Sequence, residues 1–219
     1  MSIAPPQNGS LRDQAYHRLR RLLILQQVRE GERLRESHWA SKLSVNRTAL
    51  REAFARLEAE GFVAKGPKTG YFVPVLRFDD IREIIDVRII LEGGAIERII
   101  RTKQNTPAHL KGMRLACEQI ERLVKEEYML GVAEADRRFH ESLIEAADNK
   151  RLVTLYQRAP LPIIHPEIIS GHQWESRVQQ TLVEHRSILE AILTGDTDGA
   201  KSMLRTHLHE RAIIPLHAG

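Results

Sequence analysis

A single cysteine in 219 residues, Cys117, excludes an intramolecular disulfide framework. There is no run of 18 apolar residues, and the start carries no charged segment followed by an apolar one. Neither a membrane span nor a secretory leader is therefore expected, and the chain reads as cytoplasmic. No internal repeat is evident. With 42% hydrophobic and 28% charged residues the composition is that of a chain able to bury a core, apart from a disordered start over residues 1–9 (MSIAPPQNG) and a short tail after Pro215. What is present in excess is local. Residues 1–75 hold 13 Lys+Arg against 7 Asp+Glu, net +6, whereas the remainder holds 20 against 22, net −2. A basic head on a near-neutral body suits a nucleic-acid partner, and a solvated basic face would give the same count.

The head divides into short helices. Ser10-Leu11-Arg12-Asp13 has the form of a capping box, and Ala15, Tyr16, Leu19, Leu22, Leu23 and Gln26 follow helical spacing to about Gln27. After a break near Gly31, Ser37 is placed to cap a helix ending at Leu43, and the tight SVN leads into a longer helix from Asn46 to Glu60 with Gly61 as its terminator. Two helices across so short a turn make a helix-turn-helix. On the second, Leu50, Ala53, Phe54 and Leu57 recur at i, i+3, i+4 and i+7 and face the core, which leaves Arg47 and Arg51 together on another side near the N-terminus. There an arginine can fork guanine in a major groove while Asn46 and Thr48 reach backbone oxygens. An amphipathic helix with two solvated arginines is the plainer alternative. FVAKG, PKTG and YFVPV then read as a basic β-hairpin carrying Lys65 and Lys68, which completes a winged helix.

Beyond Pro74 the pattern is helical throughout. Leu76 to Phe78 suggest a linker, Asp79 or Asp80 a cap for a helix to about Arg101, and Thr106-Pro107 the start of a helix to about Tyr128. Further helices are expected over about 132–147, 150–158, 174–194 and 197–212. In EADRRFHESL, Asp136 and His140 lie one turn apart on a stripe with Val132, Ala133, Leu143 and Ala147. His185 falls on a stripe with Val178, Leu182, Leu189 and Ile192, and His207 on one with Ala200, Met203 and Leu204, while His209 turns away. A buried carboxylate is costly without a partner, and one cation shared by Asp136, His140, His185 and His207 would serve all four. A salt bridge from Asp136 to an arginine, with each histidine hydrogen-bonded in the core, is the structural alternative. Arg88 and Glu92 also point inward, on the stripe Ile81, Ile85, Ala95 and Ile99. His165, in the proline-dense APLPIIHPEII region, and His172, just after it, fit no site, and surface or packing is their default.

Two stretches resemble a known family. VNRTALREAFARLEAEGFVAKGPKTGYFV is very similar to the winged-helix domain of GntR-type bacterial transcriptional regulators, over roughly residues 11–75. The resemblance implies that Arg47, Thr48, Arg51 and the wing glycine Gly70 face an operator. Two positions depart from it, since Glu30 stands before Gly31 where proline is usual and Ser37 where some members carry an operator-contacting arginine. Residues 79–212, with ADRRFHESL, Asn149 and EHRSILEAILTGDTDGAKSMLRTHL, resemble the FCD-type effector domain of the FadR branch. That resemblance implies a divalent ion, zinc, nickel or manganese, on Asp136, His140, His185 and His207. It also implies that Arg88, in DVRIILE, borders an effector pocket, where its fork suits a carboxylate, with Glu92 beside it. An Arg88 to Glu92 or Arg88 to Asp136 ion pair is equally compatible with the spacing.

The expected fold is mainly α. It comprises a winged helix-turn-helix of three helices and a small hairpin over 10–75, a linker over 76–79 and an all-α antiparallel bundle over 80–214. The expected function is a dimeric, ligand-responsive regulator, typically a repressor, that binds a palindromic operator and answers to a small carboxylate at the metal site. A direct metal sensor is the alternative. A metal-dependent enzyme is disfavoured, because no general base or nucleophile motif accompanies the ligand set.

Overall fold

The computed structural model describes residues 10–24, 27–66, 70–75, 77–158 and 174–212. Among the described residues these form two compact units, 10–75 together with 157–158 and 77–156 together with 174–212, and each is described by itself.

The first unit opens with α1 (Leu11–Ile24). Its cap is the one the sequence suggests: the Asp13 amide donates to Ser10 Oγ at 3.3 Å, and the Ser10 hydroxyl donates to the Asp13 carboxylate at 2.6 Å. Strand β1 (Arg33–Leu34) follows, then α2 (Glu36–Leu43) and α3 (Arg47–Ala59). Helix α2 starts one residue before the expected cap, so Ser37 lies inside it and Arg35 stands at the N-cap. Asn46 caps α3, its Oδ1 accepting from the Ala49 amide at 2.8 Å. Gly61, at φ +76°, ends α3 in a Schellman turn in which the Gly61 amide reaches Glu58 O at 3.0 Å and the Phe62 amide reaches Leu57 O at 2.9 Å.

Strands β2 (Ala64–Lys65) and β3 (Tyr71–Phe72) form the hairpin. A third strand, β1, pairs with β3 in the order β1-β3-β2, all antiparallel, with Leu34 opposite Tyr71 and Lys65 opposite Tyr71 on its other side. Two residues are too few to show alternation, which is why β1 escapes sequence analysis. The core gathers Tyr16 and Leu19 of α1, Trp39 and Leu43 of α2, Leu50, Phe54 and Leu57 of α3 and Leu34 of the sheet. Each such side chain contributes about 1.5–3 kcal/mol through burial. The Phe54 and Tyr71 rings stack at 4.7 Å and so tie α3 to the wing. Beside this core the Tyr16 hydroxyl donates to Glu60 at 2.8 Å, Arg20 Nε lies 3.4 Å from Glu60, and the Arg56 guanidinium sits 3.6 Å from the Tyr16 ring centroid. Burial, with the Glu60 carboxylate adding to it against Arg20 and Arg56, pushes the Tyr16 hydroxyl up to about 12.

The second unit is helical throughout its described residues: α4 (Phe78–Arg101), α5 (Lys111–Lys125), α6 (Met129–Ala146), α7 (Lys150–Arg158), α8 (Trp174–Thr194) and α9 (Thr197–Ala212). Helix α4 packs against α6, α8 and α9, α5 lies against α6 and α8, and α8 pairs with α9. Its N-cap is Arg77 and not Asp79 or Asp80; Asp80 instead accepts from the Arg77 amide at 2.7 Å, as an N3 carboxylate does. Thr106 caps only a single turn, its Oγ1 accepting from His109 N at 3.3 Å, and α5 proper begins at Lys111. Asn149 caps α7 through the Arg151 and Leu152 amides at 3.1 and 3.2 Å. At the α8–α9 corner Gly195 takes φ +81° and Asp196 Oδ1 accepts from Gly199 N at 2.9 Å; a Cβ on Gly199 would lie 2.0 Å from that carboxylate. The GDTDG run is thus a helix stop followed by a helix start. Met203, expected on the inward stripe of the last helix, is 41% exposed and not in the core, while Leu208, outside that stripe as read from the sequence, is buried.

Candidate metal centre and nucleic-acid interface

Helical periodicity delivers the four ligand candidates to one place. Asp136 and His140 come from α6, His185 from α8 and His207 from α9, and one ligand atom from each lies within 4.8 Å of all the others. The Nε2 atoms of His185 and His207 are 3.2 Å apart, as are those of His207 and His140, and His185 Nε2 lies 3.4 Å from Asp136 Oδ1. The imidazoles are 1% exposed or less. Phe139 stacks on His185 at 3.9 Å with 8° between the planes and holds that ring in place.

The far side of two rings shows what the facing nitrogens carry. His140 Nδ1 is 2.7 Å from Glu92 Oε2, and His207 Nδ1 is 2.7 Å from Glu184 Oε2. A carboxylate only accepts, so each Nδ1 carries the proton, and in a neutral ring the facing Nε2 presents a lone pair. Lone pairs converging at 3.2 Å with a carboxylate alongside form a donor set that could hold a divalent cation. Nitrogens about 2.1 Å from one ion and about 100° apart around it would stand about 3.2 Å from each other. Charge agrees. Arg88, Glu92, Asp136 and Glu184 sum to a formal −2 around neutral imidazoles, which one divalent ion balances. The residues present therefore fit a metal.

Arg88 and Glu92 are buried in the same region. Arg88 Nε donates to Glu92 Oε1 at 2.7 Å, and the Tyr156 hydroxyl of α7 donates to the same oxygen at 3.0 Å. The ion pair left open by the spacing is thus formed, and both Glu92 oxygens are engaged. Burial works to raise the Glu92 carboxyl, but Arg88 and then His140 reverse it and hold the group down at about 2. Burial likewise opposes the Arg88 charge, and Glu92, Tyr156 and Asp136 outweigh it, keeping the guanidinium protonated well above its ordinary range. Burial raises the Tyr156 hydroxyl well above its ordinary value. Sequence analysis missed Glu184 and Tyr156: Glu184 follows no apolar stripe, and only the packing of α8 on α9 reveals its partner.

In the first unit Asn46, Arg47, Thr48 and Arg51 are all exposed at the start of α3. The Asn46 Oδ1 is occupied as a cap, and Arg51 Nε donates to Glu36 of α2 at 2.8 Å. Lys65 Nζ is 2.9 Å from Glu58. Such surface pairs are worth about 0–1 kcal/mol and present little obstacle to a phosphate. Gly70 takes φ +117° and its carbonyl accepts from the Gly66 amide at 3.0 Å, closing the wing. Lys68, and likewise His165 and His172, lies outside the described residues.

Comparison with known proteins decides what this pair of units is. Residues 83–210 match the FCD domain family, and residues 11–73 match the bacterial regulatory proteins of the gntR family. The chain belongs to the GntR family. Among curated relatives, the uncharacterized HTH-type transcriptional regulator YdhC of Bacillus subtilis is 26% identical, with 90% of this chain and 87% of that protein covered. The probable D-xylose utilization operon transcriptional repressor of Paenarthrobacter nicotinovorans is 27% identical, with 94% of each covered. Of solved structures, E. coli McbR/YncC superposes with a TM-score of 0.71 over 92% of this chain and 95% of that one, at 19% identity, a likeness of fold. This GntR-family chain is accordingly a DNA-binding transcriptional regulator and not an enzyme. No helix among its described residues is long and apolar enough to cross a membrane.

Proposed function

We propose that the chain is a ligand-responsive repressor that reads a palindromic operator as a homodimer and answers to a small carboxylate at a metal centre built on Asp136, His140, His185 and His207. The observation that carries this reading is the convergence of four ligand atoms within 4.8 Å inside the FCD domain of a regulator. Zinc is the favoured ion, since three imidazoles and one carboxylate suit it, with nickel or manganese as the other choices. When bound, the ion supplies a positive charge and further coordination positions for an anionic effector. Arg88 and Glu92 flank the site as the effector-binding pair, Arg88 offering its guanidinium to the acid and Glu92 linking that arginine to His140 at 2.7 Å. At the other end of the chain Arg47 and Arg51 read base edges, Asn46, Thr48, Lys65 and Lys68 hold the phosphate backbone, and Gly70 lets the wing approach it. The effector then shifts the balance between arrangements of the two heads that do and do not fit the half-sites. Repression is supported by the name of the Paenarthrobacter relative.

Two experiments test this. Selection of random duplexes on the purified chain is expected to return an inverted repeat, and recovery of unrelated sequences removes the operator reading. Thermal melting with a panel of small mono-, di- and hydroxy-carboxylates, before and after chelation, is expected to show one acid raising the Tm only in the metal-loaded chain. A ligand at about 100 times its Kd adds about 2.7 kcal/mol to the folded state. A metal that alone switches DNA binding, with no acid active, would make the chain a metal sensor instead.

A further inference from the structure

We propose that Glu92 and Glu184 are positioning residues for the metal centre, and that Glu184 lets one turn of α8 set two of its ligands at once. The inference rests on the metal reading above. Each carboxylate accepts a hydrogen bond from the Nδ1–H of one ligand ring at 2.7 Å, Glu92 from His140 and Glu184 from His207. The Nδ1–H tautomer is thereby imposed, and the Nε2 lone pair is left facing the centre. A ring in the opposite tautomer would point an N–H at a neighbouring Nε2 only 3.2 Å away and close the site to a cation. A carboxylate behind an imidazole also makes the ring a stronger donor to a metal.

The two supports differ in how they are held. Glu92 is fully buried, and its second oxygen accepts from both Arg88 and Tyr156, so α4, α6 and α7 meet on it. Glu184 is 17% exposed in its side chain, and its second oxygen accepts from Gln180 one turn earlier on α8, at 2.8 Å. Its sequence neighbour His185 is itself a ligand candidate. Adjacent residues diverge by about 100° around a helix, so α8 places His185 in the cluster and Glu184 behind a ring of α9. The position of α9 against α8 is thus coupled to the ligand set.

Glu92 is also the counter-ion of buried Arg88, and Glu92→Gln risks unfolding the unit; Glu184→Gln, at the half-buried site, carries the test. Zinc affinity of the full chain is measured by competition with a chromophoric chelator, and the tautomer of His207 by long-range 1H–15N correlation of its ring in the metal-free chain. Glu184→Gln is expected to weaken zinc about 10–100-fold and to move His207 from the Nδ1–H form to a tautomer mixture, with Glu184→Asp recovering part of both. Affinity unchanged in Glu184→Gln overturns the proposal, and so does a loss of affinity with the His207 tautomer unchanged. If the unaltered chain itself fails to bind zinc, nickel or manganese, the metal reading falls together with this inference. Failure confined to the variant leaves the metal reading standing.

Discussion

The two units place their charges in opposite ways. In the N-terminal unit one charged side chain among the described residues, Arg20, is buried, and the residues assigned to DNA stand exposed at the start of α3. In the C-terminal unit Arg88, Glu92, Asp136 and three histidines are buried together. A surface that must meet DNA gains nothing from low dielectric, because its partner brings the charge. An interior must supply every polar partner to the charges it buries, since a half-satisfied buried network is worse than an apolar core. Apart from Arg20, paired with Glu60, charge in the first unit lies at the surface, whereas in the second it is part of the core.

Five substitutions sharpen or break that contrast. Arg88→Met leaves Glu92 buried without its cation and is expected to destabilise the C-terminal unit by about 3–5 kcal/mol in urea unfolding. A loss below about 1 kcal/mol would mean that buried charge in the second unit counts no more than surface charge in the first. Arg47→Ala and Arg51→Ala are each expected to weaken selected-operator binding by about 1–3 kcal/mol, read by fluorescence anisotropy. The melting of neither unit should move, and a stability loss comparable to that of Arg88→Met would erase the distinction. Gly61→Ala places a Cβ at φ +76° and should reduce the stability of the N-terminal unit by about 1–2 kcal/mol, while that of the C-terminal unit stays constant. A further effect is confined to alkali. The Tyr16 hydroxyl is raised to about 12 from an unfolded value of 10, so the folded unit holds that proton more tightly. The resulting stability is complete below pH 10 and is lost as pH rises from 10 towards 12. Tyr16→Phe should flatten the dependence of unfolding on pH in that window, and an unchanged slope would assign it to other groups.

The buried site was the easier of the two to read. Asp136, His140, His185 and His207 each interrupt an apolar stripe at the 3.6-residue period, and a polar group on such a stripe is informative because burial makes it costly. The same reasoning put Arg88 and Glu92 inside but left their pairing open, since spacing does not say which carboxylate a guanidinium meets. Exposed Arg47 and Arg51 carry no such signal. Their assignment came from helix order, the short SVN turn and the family resemblance. Where periodicity was thin, expectation and structure part: Met203 proved exposed, α5 begins four residues after Pro107, and β1 was not seen. Caps with alternative acceptors nearby also shifted, with Arg35 and Arg77 standing at N-caps that Ser37 and Asp79 or Asp80 could have taken.

The amino-acid sequence alone determined the helices, their inward faces, the helix stops at Gly61 and Gly195 and the four ligand candidates, because each depends on interactions within a few residues of chain. Tertiary structure decided everything that needs two distant segments at hydrogen-bonding range. Glu92 meets His140 across 48 residues, Tyr156 meets Glu92 across 64 and Glu184 meets His207 across 23, each at 3.0 Å or less. Local periodicity shows that a side chain faces inward. Which group waits for it there depends on how the helices pack, and that is settled only when apolar stripes from several helices close on one another.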